Sequence, residues 1–349
     1  MKQDNYLRTV HFDTPDFIPM TFHINDACWH HYDQQQLFDL MEAHPMLFPD
    51  FKRPQGVYTP VYAKVARRDE PFVDDFGCVW ETADDGITGT VTGHPLADYA
   101  ALAHFTPPDP EVCMGIGPID WKKEERRIAE AHSKGQCAIG ALRHGHTFLQ
   151  LSDLRGYQNL LFDMMDEEPR LWQVIEMVEH FNAAIVDHYL ALGADQISYP
   201  EDLGMQVGPM LSPECFLQYI FPSYKRLMAK SQQAGKIVHM HSDGDIRQLV
   251  EYLTHGGVQI INLQDRVNGI DWIREHFHEK VCIELDIDRQ YVTVEGTPRE
   301  IDDWIRMEVE TLGSKKGGLM MIYGLYPGVP VENAAAVMDA MEKYAGYYA

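Results

Sequence analysis

Two histidines and an aspartate, each two residues from the next, are the first chemical signal in this chain. In Lys236-Ile-Val-His-Met-His-Ser-Asp-Gly-Asp245 an apolar run turns polar at His239. On an extended strand residues two apart share a face, so His239, His241 and Asp243 point the same way. Two imidazoles and a carboxylate on one face suit a divalent metal, with zinc the first expectation. The same residues also suit a helix start, because Ser242, Asp243 and Asp245 are good N-caps for Ile246-Arg-Gln-Leu-Val250. A second concentration is Glu201-Asp202. Adjacent carboxylates in one pocket repel, so one takes a proton or a cation sits between them. A metal held by His241, Asp243 and Glu201 relieves that repulsion. His239, one strand step deeper, is either a further ligand or a hydrogen-bonded core residue.

The elements that must position these groups follow a regular rhythm. Phe17–Ile24 reads as a first strand, and a helix follows near Gln34–Ala43. Phe72–Trp80 and Thr88–Thr92, around the turn residues Asp84-Asp85-Gly86, read as an antiparallel excursion within about 45–110. Short apolar strands then alternate with helices: Gln136–Leu142, Asp195–Tyr199, the His239–Asp245 strand, Val258–Leu263, Val281–Leu285 and Leu319–Ile322. Such βα units mean a parallel sheet. Seven or eight strands in 349 residues predict one (β/α)8 barrel domain over 1–349, with N-terminal helical and antiparallel additions. A doubly wound open sheet is the alternative, but no GxGxxG follows a strand. P-loop, GxSxG and HExxH patterns are absent from the sequence too.

In a barrel the chemistry sits at the C-terminal strand ends. Those ends carry His23 and Asp26, Glu201 and Asp202, His241 and Asp243, Gln264 and Asp265, Asp286 and Asp288, and Tyr323. About half of these acids are expected to be N-caps only. Of the rest, Asp202, Asp286 and Tyr323 are the candidates for proton handling. His23, Asp26, Trp29 and Gln264 are the candidates for substrate contact. Trp29, with Tyr32 and Phe22, offers aromatic faces to a planar substrate, although packing is the commoner use of such rings.

Composition removes several classes. A formal net charge of -24 argues against nucleic acid and against an anionic membrane surface. Cys28, Cys78, Cys113, Cys137, Cys215 and Cys282 form no CxxC pair, which fits reduced thiols in a cytoplasm. The start Met1-Lys-Gln-Asp-Asn5 has no apolar signal segment, and no apolar run is as long as a membrane span.

The wider pattern resembles the uroporphyrinogen decarboxylase superfamily, especially its corrinoid-linked methyltransferase branch. The similarity rests on Pro15-Asp16 with Ile18-Pro19, Asp75-Phe-Gly-Cys-Val-Trp80, Leu154-Arg-Gly156 and Glu201-Asp-Leu-Gly-Met-Gln206. It continues through Ser212-Pro-Glu214, His241-Ser-Asp-Gly244, Asp286-Ile-Asp-Arg-Gln290, Gly296-Thr-Pro298, Gly317-Gly318 and Pro330-Val-Glu-Asn333. It implies a (β/α)8 barrel, often dimeric. True decarboxylases of this superfamily carry an Arg-rich N-terminal motif, whereas Pro19-Met-Thr-Phe-His-Ile-Asn-Asp26 has no arginine. The thiol-methylating members hold zinc with a His-x-Cys pair and a later Cys. Here His241 matches the histidine, Asp243 stands at the first cysteine and Leu325 near the second. The remaining His/Asp/Glu set is harder and suits an oxygen or nitrogen better than a thiolate. The resemblance thus implies methyl transfer between a small methyl ether or methylamine and the cobalamin of a corrinoid protein. A metal-free decarboxylase acting on another carboxylated substrate is the alternative.

Overall fold

The computed structural model describes residues 4–349. Ten strands occur in chain order: β1 Met20–Ile24, β2 Phe72–Val73, β3 Val79–Glu81, β4 Thr90–Gly93, β5 Ile139–Ala141, β6 Gln196–Asp202, β7 Ile237–Asp243, β8 Ile260–Gln264, β9 Cys282–Asp286 and β10 Leu319–Leu325. The chain forms two compact units, the first built mainly from Phe72–Trp80 and Val91–Leu263, the second from Asn5–Pro71, Glu81–Thr90 and Gln264–Ala349.

In the first unit β5, β6, β7 and β8 are neighbours in that order, and each pair is parallel. Their apolar interiors, such as Ile197, Tyr199, Val238, Met240, Ile260 and Ile261, are fully buried. Burial on both faces is what continuous apolar strands require. The crossover from β5 to β6 uses the 22-residue helix Arg170–Ala191, which buries Leu171, Val174, Ile175, Val178, Phe181, Ile185 and Val186. That spacing of three and four lines one helical face. Phe221–Gln233 makes the crossover to β7.

In the second unit β1, β10 and β9 are neighbours in that order, again parallel. Pro298–Leu312 returns from β9 to β10 and starts with a full capping box, Thr297 and Glu300 satisfying each other's backbone amides. The expected antiparallel excursion is the separate three-stranded sheet β2-β3-β4.

The α/β class with parallel βα repeats and an antiparallel addition is therefore correct. The strand number is not eight: seven parallel strands occur among the described residues. The shortfall lies between β1 and β5. That stretch is rich in proline and in short turns, and it forms only helices, single turns and the three short antiparallel strands. Proline has no amide to give a sheet ladder and glycine weakens a strand, so no further parallel strand propagates there. No described helix is long and apolar enough to cross a membrane. All six cysteines are free.

Candidate active site

Strands β6 and β7 run side by side with Ser198 opposite His239, Pro200 opposite His241 and Asp202 opposite Asp243. Opposed residues on paired strands project to the same face. One face therefore carries Ser198, Pro200 and Asp202 beside His239, His241 and Asp243. The other carries Tyr199 and Glu201 beside Met240 and Ser242, all fully buried. The two strand ends are drawn together by glycines. Gly244 has φ +80°, and a Cβ there would lie 2.2 Å from the carbonyl carbon of Gly204. Only glycine at both positions allows that approach.

On the open face three groups converge. His144 Nε2 is 3.4 Å from Asp202 Oδ1, and His241 Nε2 is 3.6 Å from the same oxygen. The two imidazole rings are 5.5 Å apart. Asp243 stands beside them, its Oδ1 3.9 Å from His241 Nε2. His241 Nδ1 donates to Asn262 Oδ1 on β8, which turns Nε2 toward Asp202. His144 comes from the loop after β5. Arg143 anchors that loop, donating to Gln150 at 2.6 Å, to Asp153 at 3.0 Å and to the His144 carbonyl at 3.0 Å.

Electrostatics bind this group together. Burial alone would push the Asp202 carboxyl up, but hydrogen bonds and charge from His144 and His241 outweigh it and hold the group far below the usual carboxylate range. Burial alone would lower the His241 imidazole. The hydrogen bond that His241 donates to Asp202 and the charges of Asp243 and Asp202 overcome that and raise it to about 9.

Glu201 is not part of this group. Its carboxylate faces the other side and accepts hydrogen bonds from the amides of Thr147 at 3.0 Å, Phe148 at 2.8 Å and Leu149 at 3.2 Å, and from the Tyr224 hydroxyl at 2.7 Å. It caps the helix Phe148–Arg155, whose own N-cap residue makes no side-chain cap. Burial pushes its carboxyl up, against the pull of Tyr224 and the three amides. The expectation of a metal on Glu201 fails because successive strand residues point to opposite faces. His239 also stays outside the cluster. It bonds Ser198 at 2.7 Å and is 8% exposed, which is the core alternative. Asp202 takes the carboxylate place expected for Glu201.

The remaining candidates lie in the second unit. Tyr323 is fully buried, with its ring 5.2 Å from Phe22 and its hydroxyl donating to Thr293 at 2.9 Å. That enclosure removes it as a handler of substrate protons. Asp286 accepts from Arg289 at 2.7 Å, and with Gln264, Asp288 and Arg289 it lines a shallow cleft. Asp288 caps the turn before Val292–Glu295, accepting from the amides of Gln290 and Tyr291. Asp265 accepts from the Asp288 amide at 2.9 Å and from Trp304 at 3.1 Å. Trp29 packs between Tyr58 and Phe38, at 4.8 and 5.6 Å. His23 and Asp26 are exposed.

His144 is the site residue that the sequence reading missed. The signal was present: Arg143-His-Gly-His-Thr147 follows β5 directly, and the rule of polar residues at strand ends applies there too.

The model of the uroporphyrinogen decarboxylase family matches residues 85–344, well over half of the chain. The chain belongs to the uroporphyrinogen decarboxylase family. Sheep uroporphyrinogen decarboxylase is 24% identical over 165 residues, which cover 44% of this chain and 42% of the sheep enzyme. The chain thus matches less than half the length of that relative. Among solved structures, a methyltransferase from Methanosarcina mazei superposes with a TM-score of 0.64 at 16% identity, covering 99% of each chain. At that identity the likeness establishes a shared fold. Within that architecture His144, Asp202 and His241 cluster at the ends of parallel strands, where α/β enzymes place their chemistry.

Proposed function

We propose that this protein transfers a methyl group between a small methyl ether or methylamine and a corrinoid protein. The observation that carries the reading is the convergence of two imidazole nitrogens and one carboxylate oxygen, one ligand atom from each within 4.8 Å of the others. This donor set fits a divalent ion of the zinc type, with three protein ligands and room for a substrate atom. The hydrogen bond from His241 Nδ1 to Asn262 is the outer support that ligating histidines commonly have. His144, Asp202 and His241 are the residues that would hold the ion. Bound there, it supplies Lewis acidity at the leaving oxygen or nitrogen. The thiolate ligands of thiol-methylating relatives are replaced by oxygen and nitrogen, which favours an ether or amine over a thiol.

The chain's own residues do the rest. Asn262 sets the ring plane of His241, and the Arg143 loop sets His144. Asp243, on the same face and partly exposed, is placed to pass a proton from solvent to the leaving oxygen or nitrogen, while the partner's corrinoid would supply the methyl acceptor. The strongly acidic chain offers a negative surface to a partner protein that carries the corrinoid.

The test mixes zinc-loaded protein, cob(I)alamin and methoxyarenes, methylamines or thiols, and follows the cobalt spectrum. Methyl–cobalt formation with an ether or amine is the expected result. No methyl–cobalt signal with any donor overturns it. A second reading, decarboxylation of another carboxylated substrate, draws on the same site without metal. His241, raised to about 9, is then the acid that protonates the carbon left after CO2 departs. Release of CO2 by chelator-treated, metal-free protein would select it.

A further inference from the structure

A second set of two imidazoles and one carboxylate lies outside the site described above. His31 Nε2 is 2.6 Å from Asp84 Oδ2, and His30 Nε2 is 3.1 Å from Asp84 Oδ1. The two rings are 4.5 Å apart. All three side chains are more than a third exposed or close to it. Consecutive residues of a regular helix normally diverge. Here Cys28–His31 is a single turn, ended by the extended residue Tyr32, and both rings reach the same carboxylate.

The arrangement is built rather than incidental. Asp84 sits in a tight turn, its amide donating to Thr82 Oγ1 at 3.3 Å and its carbonyl accepting from that hydroxyl at 3.1 Å. Gly86 brings this turn against the backbone that leads into the helix. It has φ +87°, and a Cβ there would lie 2.3 Å from the Ala27 nitrogen. The Gly86 amide donates to Ala66 at 2.8 Å, and the Asp85 carboxylate accepts from the Arg68 amide at 2.8 Å. The carboxylate is therefore presented to both imidazoles by backbone. His30 has an outer partner as well, with its Nδ1 3.1 Å from the Tyr62 hydroxyl. With Nδ1 directed at Tyr62, an ion that displaces the Nε2 proton leaves His30 in the tautomer that ligates.

We propose that His30, His31 and Asp84 form a second divalent-metal site, for an ion of the zinc, nickel or copper(II) class. Imidazole with one carboxylate suits those ions better than magnesium or calcium, which prefer oxygen ligands throughout. One ligand atom from each residue lies within 4.8 Å of the others. In a four-coordinate site with bonds of about 2.0 Å, donor atoms stand roughly 3.3 Å apart. The ion takes the place now held by the hydrogens shared with Asp84, and the carboxylate moves back by less than an ångström from His31. Exposure leaves the remaining positions to water, so the site clips the loop around Asp84 to the turn Cys28–His31 and needs no substrate.

The test uses the full chain, stripped with chelator and titrated with zinc by equilibrium dialysis. His31→Gln and Asp84→Asn are each expected to lose one bound equivalent, while His241→Ala retains that equivalent. Tyr62→Phe is expected to weaken it about 10-fold, the usual effect of removing an outer partner. Melting curves in excess chelator show that the variants are folded, and anomalous scattering at the zinc edge should place an ion among His30, His31 and Asp84. A folded His31→Gln variant that binds as much zinc, as tightly, as the parent overturns the proposal. Anomalous maps of the zinc-loaded parent that show no ion among His30, His31 and Asp84 overturn it equally. Loss of zinc from the His144–Asp202–His241 group would bear on methyl transfer and leave this site standing.

Discussion

His144, Asp202 and His241 stand at the ends of parallel strands, whereas His30, His31 and Asp84 stand on a single helical turn and a loop. The donor atoms are the same in kind. At the strand ends Asp202 and His241 are partly buried while His144 is exposed, and burial works against the charges of Asp202 and His241. Their pairing overcomes that cost, so each group depends strongly on the others. At the surface, the Asp84 carboxyl is also lowered, by hydrogen bonds from His31 and His30. Solvent screens that group, so its members are less dependent on one another. The difference teaches that donor count does not separate a reactive site from a structural one. The depth of the carboxylate and of one imidazole does.

Removing a ligand from the buried group is the most direct way to break the comparison. His241→Ala or Asp202→Asn should lower methyl–cobalt formation by about 10³-fold, the scale of losing several kcal/mol of electrostatic assistance. His31→Gln should leave that rate unchanged. Equal losses in both, measured by stopped-flow at the cobalt bands, would erase the distinction.

Glu201 gives the next largest effect, and it is on stability. Glu201→Ala leaves three helix amides and the Tyr224 hydroxyl without their buried acceptor. The expected cost is about 3 kcal/mol or more in denaturant unfolding. Zinc content should stay at the parent value, because the carboxylate faces away from the cluster. A folded variant lacking one zinc would return Glu201 to the ligand set.

The loop that carries His144 has a pH signature. Burial raises the Asp153 carboxyl to about 6, against the pull of the Arg143 guanidinium. Its folded-state value lies above its unfolded value, so the folded state holds the proton more tightly. That contribution is full below about pH 4 and is lost as pH rises through 6. It amounts to roughly 3 kcal/mol. Asp153→Asn should flatten this part of the stability–pH curve, and an unchanged slope would show that another group sets it.

Asn262→Ala gives the smallest effect, loosening the His241 ring and weakening zinc at the buried site by about 10-fold. If Tyr62→Phe at the surface site has an equal effect by the same titration, outer support counts alike in both settings.

Much of the architecture was legible in the residues. Alternating apolar strands and amphipathic helices predict the βα units, since burial on both faces needs continuous apolar strands. The residue types at the strand ends pointed to His241 and Asp202. An eighth parallel strand was expected from the length of the chain, yet the proline-rich stretch after β1 supports none. Tyr323 reads as a strand-end hydroxyl, but Thr293 and Phe22 enclose it.

What the sequence determined by itself was therefore the period of each element and the chemistry available at its end. Facing was decided by tertiary structure. Glu201 and Asp202 are neighbours in the chain, and a pleat two residues long sends one into a helix N-terminus and the other to two imidazoles. His30, His31 and Asp84 are more than fifty residues apart in part, and only the close approach of the Gly86 turn to Ala27 brings them together. Contacts of that kind depend on which segments pack, and pattern along one chain does not encode them locally.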